Sequence, residues 1–217
     1  MNGHKKAVLF DLDGTLIDTA PEMHLAVNVL LEEEGLKPLP YESVRPHVSN
    51  GVMGIFKNIF EDNPQFGGRR FNRYLDIYDD HLGIHAKTFP GIDEVLSAIE
   101  DLGINWGIVT NKSKRFAKPL LRKLKLLKRA SCLVCGDTTN NLKPDPEPIN
   151  HALLLLQTKN TKGSFYIGDS KKDIDAAKAA GINSIACTYG YITDDTEPKN
   201  WNADFYVDHA LEILNVI

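Results

Sequence analysis

Five short apolar runs, "KAVLF" (6–10), "WGIVT" (106–110), "SCLVC" (131–135), "SFYIG" (164–168) and "SIACT" (184–188), are spaced along the chain with helical patterns between most of them. Continuous apolar runs of this length suit strands that are covered on both faces. Alternation of such strands with helices builds an α/β fold, a doubly wound, Rossmann-like parallel sheet with helices on each side. The helical segments are "GIDEVLSAIEDLG", with Gly103 as its stop, "RFAKPLLRKLKL", "PEPINHALLLLQ", and "KKDIDAAKAAG", which stops at Gly181. A sixth run, "DFYVD" (204–208), is expected to add an edge strand.

The first connection breaks the rhythm. About seventy residues, Ile17 to Lys87, separate the first strand from the helix that precedes the second, and a crossover needs only one helix. Within them "PEMHLAVNVLLEEEGL", "VMGIFKNIF" and "RRFNRYLDIYDDHLG" have apolar residues near helical spacing. The expectation is an all-helical cap domain, residues 17–87, inserted into a core formed by residues 1–16 and 88–217. "EDNPQ" and Gly67-Gly68 mark turns inside it, and "KTFPG" (87–91) marks the return hinge.

In open α/β sheets ligands gather beyond the carboxyl ends of the strands, so the residues just after each apolar run carry the information. The first run ends in Asp11 and Asp13, the second in Thr110 and Asn111, and the fourth in Gly168, Asp169 and Ser170, with Asp173 shortly after. Lys143 opens the "KPDPEP" loop after the third, where the prolines favour the start of the next helix. Positions i and i+2 of a strand share a face, so Asp11 and Asp13 are expected to crowd together if the strand runs through them; the alternative is that Asp13-Gly14 is a turn capped by Asp11. Two carboxylates about 4 Å apart repel by roughly 4 kcal/mol at an effective dielectric of about 20, a cost that a cation or a shared proton offsets. Four carboxylates in one site point to a cation, and Mg2+, which favours oxygen ligands, fits best.

The chain excludes several other roles. A net charge of −4 with scattered Lys and Arg gives no nucleic-acid footprint, and the cluster from Lys112 to Lys128 reads as a solvated helix face. No apolar run approaches a membrane span, and "MNGHKKAVLF" enters a strand too soon for a signal peptide. Three cysteines argue against a disulfide framework and for a reducing, cytoplasmic setting, and Cys132 and Cys135 read as core thiols rather than half of a zinc site. His81 and His85 are four apart but straddle Gly83, and Trp106 and Trp201 read as packing residues.

On "DLDGT", "VTN", the Lys of "LKPDPEP" and "GDSKKD", in that order over nearly the whole length, the chain resembles the haloacid dehalogenase-like hydrolases. The resemblance implies Asp11 as a nucleophile that becomes an aspartyl-phosphate, and Asp13 as the acid for the leaving alcohol and then the base for water. Thr110 and Lys143 are then expected on the phosphoryl oxygens beside Asn111. Mg2+ is implied on Asp11, Asp169 and the backbone carbonyl of Asp13, with Asp173 nearby through water or Lys143. Asp13 speaks for phosphate chemistry, because the dehalogenases lack the second Asp. "FDLDGTLIDTAPE", "VTNKSKRFAKPLL" and "TYGY" are similar to bacterial phosphoglycolate phosphatases, while the tail "YGYITDDTEPKNWNADFYVDH" is more similar to N-acetylmuramic acid 6-phosphate phosphatases. A phosphomutase of the β-phosphoglucomutase type shares the Asp pair and the cap. In the cap, "RPHVSNGVMG" offers Arg45 for a substrate carboxylate and Asn50 with the Gly51 backbone for hydroxyls or an amide, on a loop flexible enough to close. The expected partner is a small-molecule phosphate monoester.

Overall fold

Six parallel strands form one sheet in the computed structural model, which describes residues 6–60, 65–158, 161–192 and 197–217. Most of the "EDNPQ" turn, part of the "YGYITDDTEPKNW" tail and the first five residues lie outside those bounds. In chain order the elements are β1 (Ala7–Phe10), β2 (Ile17–Asp18), α1 (Ala20–Glu33), α2 (Tyr41–Val44), α3 (Gly51–Ile59), α4 (Arg69–His81), β3 (Lys87–Thr88) and α5 (Ile92–Asp101). They continue with β4 (Asn105–Val109), α6 (Lys114–Lys123), β5 (Cys132–Val134), α7 (Glu147–Leu155), β6 (Phe165–Gly168), α8 (Lys171–Ala179), β7 (Asn183–Cys187) and β8 (Phe205–Val207).

The sheet order is β5-β4-β1-β6-β7-β8. β1 is central, with Leu9 opposite Gly107 of β4 and Phe10 opposite Ile167 of β6. The chain winds outward from β1 through β4 to β5, then crosses back to β6 and winds the other way. That reversal makes a crevice at the carboxyl end of β1, where doubly wound sheets bind their ligands. All four residues of β1 and of β6 are buried, which is why those runs carry no polar alternation. Cys132, Cys135 and Cys187 are buried and unpaired, and burial raises the Cys132 and Cys135 thiols to about 11.

β2 and β3 pair antiparallel, Ile17 with Thr88 and Asp18 with Lys87, so the chain leaves and re-enters the α/β layer side by side. Between them α1 and α4 are clasped by Arg70–Glu34 and Arg73–Glu33 ion pairs of 2.7 and 2.5 Å. Their inner faces bury Met23, Val27, Tyr74 and Ile77 in the same apolar cluster as Phe56 of α3. Glu22 is wholly buried and accepts the backbone N–H groups of His85 and Ala86, which ties α1 to the returning segment. Residues Arg45–Asn50 form a 3-10 helix, not the flexible loop expected. Pro46 suits the first turn of a helix, and Val48 is buried as its anchor. Among the described residues no helix is long and apolar enough to cross a membrane.

Candidate active site

Lys143 organises the floor of the crevice. Asn111 grips its backbone on both sides, accepting from Lys143 N and donating to Lys143 O, each at 3.0 Å. The side chain is 2% exposed, and its Nζ reaches Asp11 Oδ1 at 2.8 Å and Asp173 Oδ1 at 2.7 Å. It also donates to Tyr166 Oη at 2.6 Å and Val109 O at 3.1 Å. Burial works against this ammonium, but Asp11 and Asp173 outweigh it and hold the Lys143 pKa above the ordinary lysine value. Asp173 meanwhile closes the first turn of α8, accepting from Ser170 N at 3.1 Å and Ser170 Oγ at 2.5 Å. It therefore serves as helix cap and as brace for Lys143.

Asp169 lies beside them, 1% exposed. Its Oδ2 accepts from Ser49 Oγ at 2.6 Å and from Tyr191 N at 2.9 Å, and Thr15 Oγ1 is 3.3 Å from Oδ1. Gly14, at φ +85°, lies against this carboxylate so closely that a Cβ there would fall 2.0 Å from Asp169 Oδ2. Only glycine combines that backbone angle with that approach.

The two aspartates of "DLDG" are not crowded as expected. β1 ends at Phe10, so Asp13 has entered the turn, and the two carboxylates face different cations. Asp11 pairs with Lys143, whereas Asp13 accepts from Thr19 Oγ1 at 2.6 Å and pairs with Lys112 Nζ at 2.9 and 3.2 Å. Lys112 is itself buried beside the Tyr78 ring; burial opposes its charge, yet Asp13 and Tyr78 together raise its pKa. This placement corrects the reading of Lys112 as part of a solvated helix face.

Among the described residues, Asp11, Asp169 and Asp173 form the one group of carboxylates with ligand atoms all within 4.8 Å of one another. The Asp13 side chain is not part of it. Lys143 contacts Asp11 and Asp173 of this group, whereas Asp169 is held by the neutral donors Ser49, Tyr191 and Thr15. Burial, resisted by Lys143, raises Asp11 to about 6; burial, reinforced by Asp173 and Asp11, raises Asp169 to about 7. An all-oxygen donor set with excess negative charge that otherwise holds protons fits a hard divalent cation such as Mg2+. Asp173 is held by Lys143 and Ser170, and Asp169 by Ser49, Tyr191 and Thr15, so each carboxylate already has neutral or cationic donors around it.

These shifts carry a stability prediction. Both carboxylates keep protons in the folded state well above the 3.8 at which the unfolded chain loses them. The folded state thus binds more protons between about pH 4 and pH 7, and its stability falls as pH rises through that window. The Tm of metal-free protein is expected to drop across it, with Mg2+ raising Tm far more at pH 8 than at pH 5. Equal Mg2+ shifts at the two pH values would contradict this.

Above the floor lies a cavity of about 580 Å³. Asp11, Asp13, Thr110, Asn111, Asn50 and Gly51 line it, and the insertion supplies an apolar wall that includes Val52, Met53, Phe71 and Tyr74. Thr110 N is used by Val134 O at 2.9 Å, so its hydroxyl, not its amide, is available to a ligand. Arg45 is not on the cavity wall. Its guanidinium lies over the Tyr191 ring, 5.1 Å from the centroid, and its Nη2 is 3.4 Å from Tyr189 O. In the 3-10 turn it meets the α/β layer at these two tyrosines, apart from the cavity-lining residues beside which it was expected.

Lys112, Ser49, Tyr166 and Tyr191 went unmarked in the sequence. Lys112 directly follows the "VTN" strand end, so the rule that singled out Thr110 covers it too. A tyrosine inside an apolar run such as "SFYIG" signals a buried hydroxyl that needs a partner. Ser49 lies in "RPHVSNGVMG" and Tyr191 in "TYGY", but neither run shows which residue its side chain or backbone meets.

Fold and site together define an α/β protein with an acidic, cation-ready cluster at the switch point of its sheet, beneath a helical insertion. The chain belongs to the haloacid dehalogenase-like hydrolases, whose family model matches residues 8–187. It is 38% identical over 216 residues to an N-acetylmuramic acid 6-phosphate phosphatase of Pseudomonas putida, covering 98% of this chain and 96% of that one. It is also 38% identical to a phosphoglycolate phosphatase of Xanthomonas campestris pv. campestris, covering 96% and 94%. In fold it is similar to the crystal structure of a predicted phosphoglycolate phosphatase from Haemophilus somnus 129pt, with a TM-score of 0.84 and 24% identity over 100% of this chain and 99% of that one.

Proposed function

We propose that this chain, a phosphoric monoester hydrolase, is a Mg2+-dependent cytoplasmic phosphatase that acts through an aspartyl-phosphate on Asp11 and takes N-acetylmuramic acid 6-phosphate as its substrate. The observation that carries the choice of substrate is the cavity. At about 580 Å³ it falls in the range of pockets that enclose whole metabolites. Its wall of Val52, Met53, Phe71 and Tyr74 suits the apolar faces and methyl groups of an acetylated sugar acid. Phosphoglycolate would leave most of that space to water.

Residues 17–87 act as the cap over a core formed by residues 1–16 and 88–217. The insertion walls the cavity and shields the reacting phosphorus from bulk water. Asp11, held by Lys143, attacks phosphorus, and the leaving oxygen departs with a proton from Asp13. The Thr110 hydroxyl and the Lys143 ammonium stabilise the phosphoryl oxygens. Asp13 then takes a proton from the water that cleaves the aspartyl-phosphate, releasing phosphate and restoring Asp11. Asp11, Asp169 and the Asp13 backbone carbonyl would hold Mg2+, which neutralises phosphoryl charge when bound. The unpaired buried cysteines support the cytoplasmic placement.

The test is a kcat/KM panel with Mg2+ over N-acetylmuramic acid 6-phosphate, phosphoglycolate, glucose 1-phosphate and p-nitrophenyl phosphate. The first is expected to lead; phosphoglycolate far ahead would overturn the substrate, and no hydrolysis of any would overturn the function. Chelation is expected to abolish activity, and Mg2+ but not Ca2+ to restore it, because the looser coordination of Ca2+ misplaces nucleophile and phosphate. Asp13→Asn separates the two halves of the reaction. Its loss of phosphoenzyme formation is expected to be smaller with p-nitrophenyl phosphate, whose leaving group needs little protonation, than with an alkyl phosphate. Equal losses in single-turnover assays would make Asp13 a structural residue instead.

A further inference from the structure

N-acetylmuramic acid 6-phosphate and phosphoglycolate both carry a carboxylate on the leaving group, a second negative charge besides the phosphate. The cavity already presents Asp11, Asp13 and Asp137, and an anion placed there without a counter-charge is costly. With Arg45 turned to Tyr189 and Tyr191, the cations among the described residues of the cavity wall are Lys112 and Lys172. Lys112 is committed to Asp13. Lys172 is different. It is half-buried, it stands in the first turn of α8, and its Nζ donates to the neutral Ser49 O at 3.0 Å. No carboxylate among the described residues pairs with it. Asn50 and Gly51, the next residues of the insertion, line the cavity beside it, and the positive end of the α8 dipole favours an anion at the same place.

We propose that Lys172 binds the leaving-group carboxylate and is the residue by which the enzyme selects acid-bearing phosphate monoesters. The proposal rests on the reading of the substrate as one of that class. Of the three N–H donors of the ammonium, the Ser49 carbonyl takes one, leaving two for a substrate carboxylate. The same side chain thereby joins the substrate to the 3-10 turn that covers it. Arg45, four residues before Ser49, steadies that turn against Tyr191 without touching the ligand.

Two substrate pairs isolate the carboxylate: N-acetylmuramic acid 6-phosphate against N-acetylglucosamine 6-phosphate, and phosphoglycolate against ethyl phosphate. The readout is the kcat/KM ratio of acid to neutral member in wild type, Lys172→Gln and Lys172→Arg. Gln keeps a donor for the Ser49 carbonyl and removes the charge, whereas Arg keeps the charge. Lys172→Gln is expected to lower the ratio tenfold or more, as loss of a charged hydrogen bond does, and Lys172→Arg to retain most of it. Uniform slowing of both members by Lys172→Gln would reduce Lys172 to a cap contact and overturn the proposal. A wild-type ratio near one on both pairs would overturn it as well. Selectivity within the phosphoglycolate pair alone, lost in Lys172→Gln, would support Lys172 while refuting the sugar-phosphate assignment.

Discussion

Asp11→Asn is expected to remove turnover of every phosphate monoester, a loss on the order of 10⁴-fold or more, the scale seen when a nucleophile is deleted from an enzyme that works by covalent catalysis. The amide matches the carboxylate in size but lacks the oxyanion that attacks phosphorus in the proposed mechanism. The fold should not suffer. Burial raises the Asp11 carboxyl to about 6, so at pH 8 the wild-type protein holds a charge there that its surroundings disfavour. Tm of the metal-free variant at pH 8 is therefore expected to match or exceed that of the wild type, an instance of stability given up for function. A variant that is inactive and also markedly less stable would place Asp11 among the structural residues.

Lys143→Met reverses that pattern. The ammonium is 2% exposed and faces Asp11 at 2.8 Å and Asp173 at 2.7 Å. Replacing it with an apolar chain of similar length leaves two buried carboxylates facing each other without a counter-charge. Breaking a buried pair from one side costs about 3–5 kcal/mol. In a chain of this size that corresponds to a fall in Tm of roughly 10 °C. Without Lys143 the carboxylates take up protons more readily, so the loss is expected to be large at pH 8 and smaller at pH 5. Activity at pH 8 should fall on the order of 10²–10³-fold, since the positive charge that holds Asp11 and, in the proposed mechanism, stabilises the phosphoryl group is lost as well. Equal destabilisation at both pH values would mean that packing, not charge, sets the role of Lys143.

The strands were legible because each is an apolar run bounded by polar residues, and the ligand rule for open sheets singled out the positions just past their carboxyl ends, Asp11, Thr110 and Asp169, with Lys143 marked by the "KPDPEP" loop further on. Those residues owe their visibility to position along the chain. Periodicity could not supply partnership over distance. Lys112 and Asp13 are 99 residues apart, and the lysine was grouped with the solvated cations of α6 because its neighbours in sequence belong there. Ser49 meets Asp169 across 120 residues, and nothing in "RPHVSN" announces it. The same segment hid its own shape: six residues are too few for a 3-10 turn to reveal a period. In that turn the Arg45 side chain meets Tyr189 and Tyr191 and is not among the residues that line the cavity, a placement that its charge alone could not reveal.

Passage of the phosphoryl group through Asp11 is the central step of the proposed mechanism. Asp13→Asn protein mixed with p-nitrophenyl phosphate and Mg2+, quenched in acid within milliseconds and digested for mass spectrometry, tests this most directly. Loss of the base for water should let the phosphoenzyme accumulate. The expected result is one phosphoryl group on the peptide carrying Asp11, absent when Asp11→Asn is added. Release of p-nitrophenol with no phosphorylated protein at any quench time, or a phosphoryl group on another residue, would contradict it.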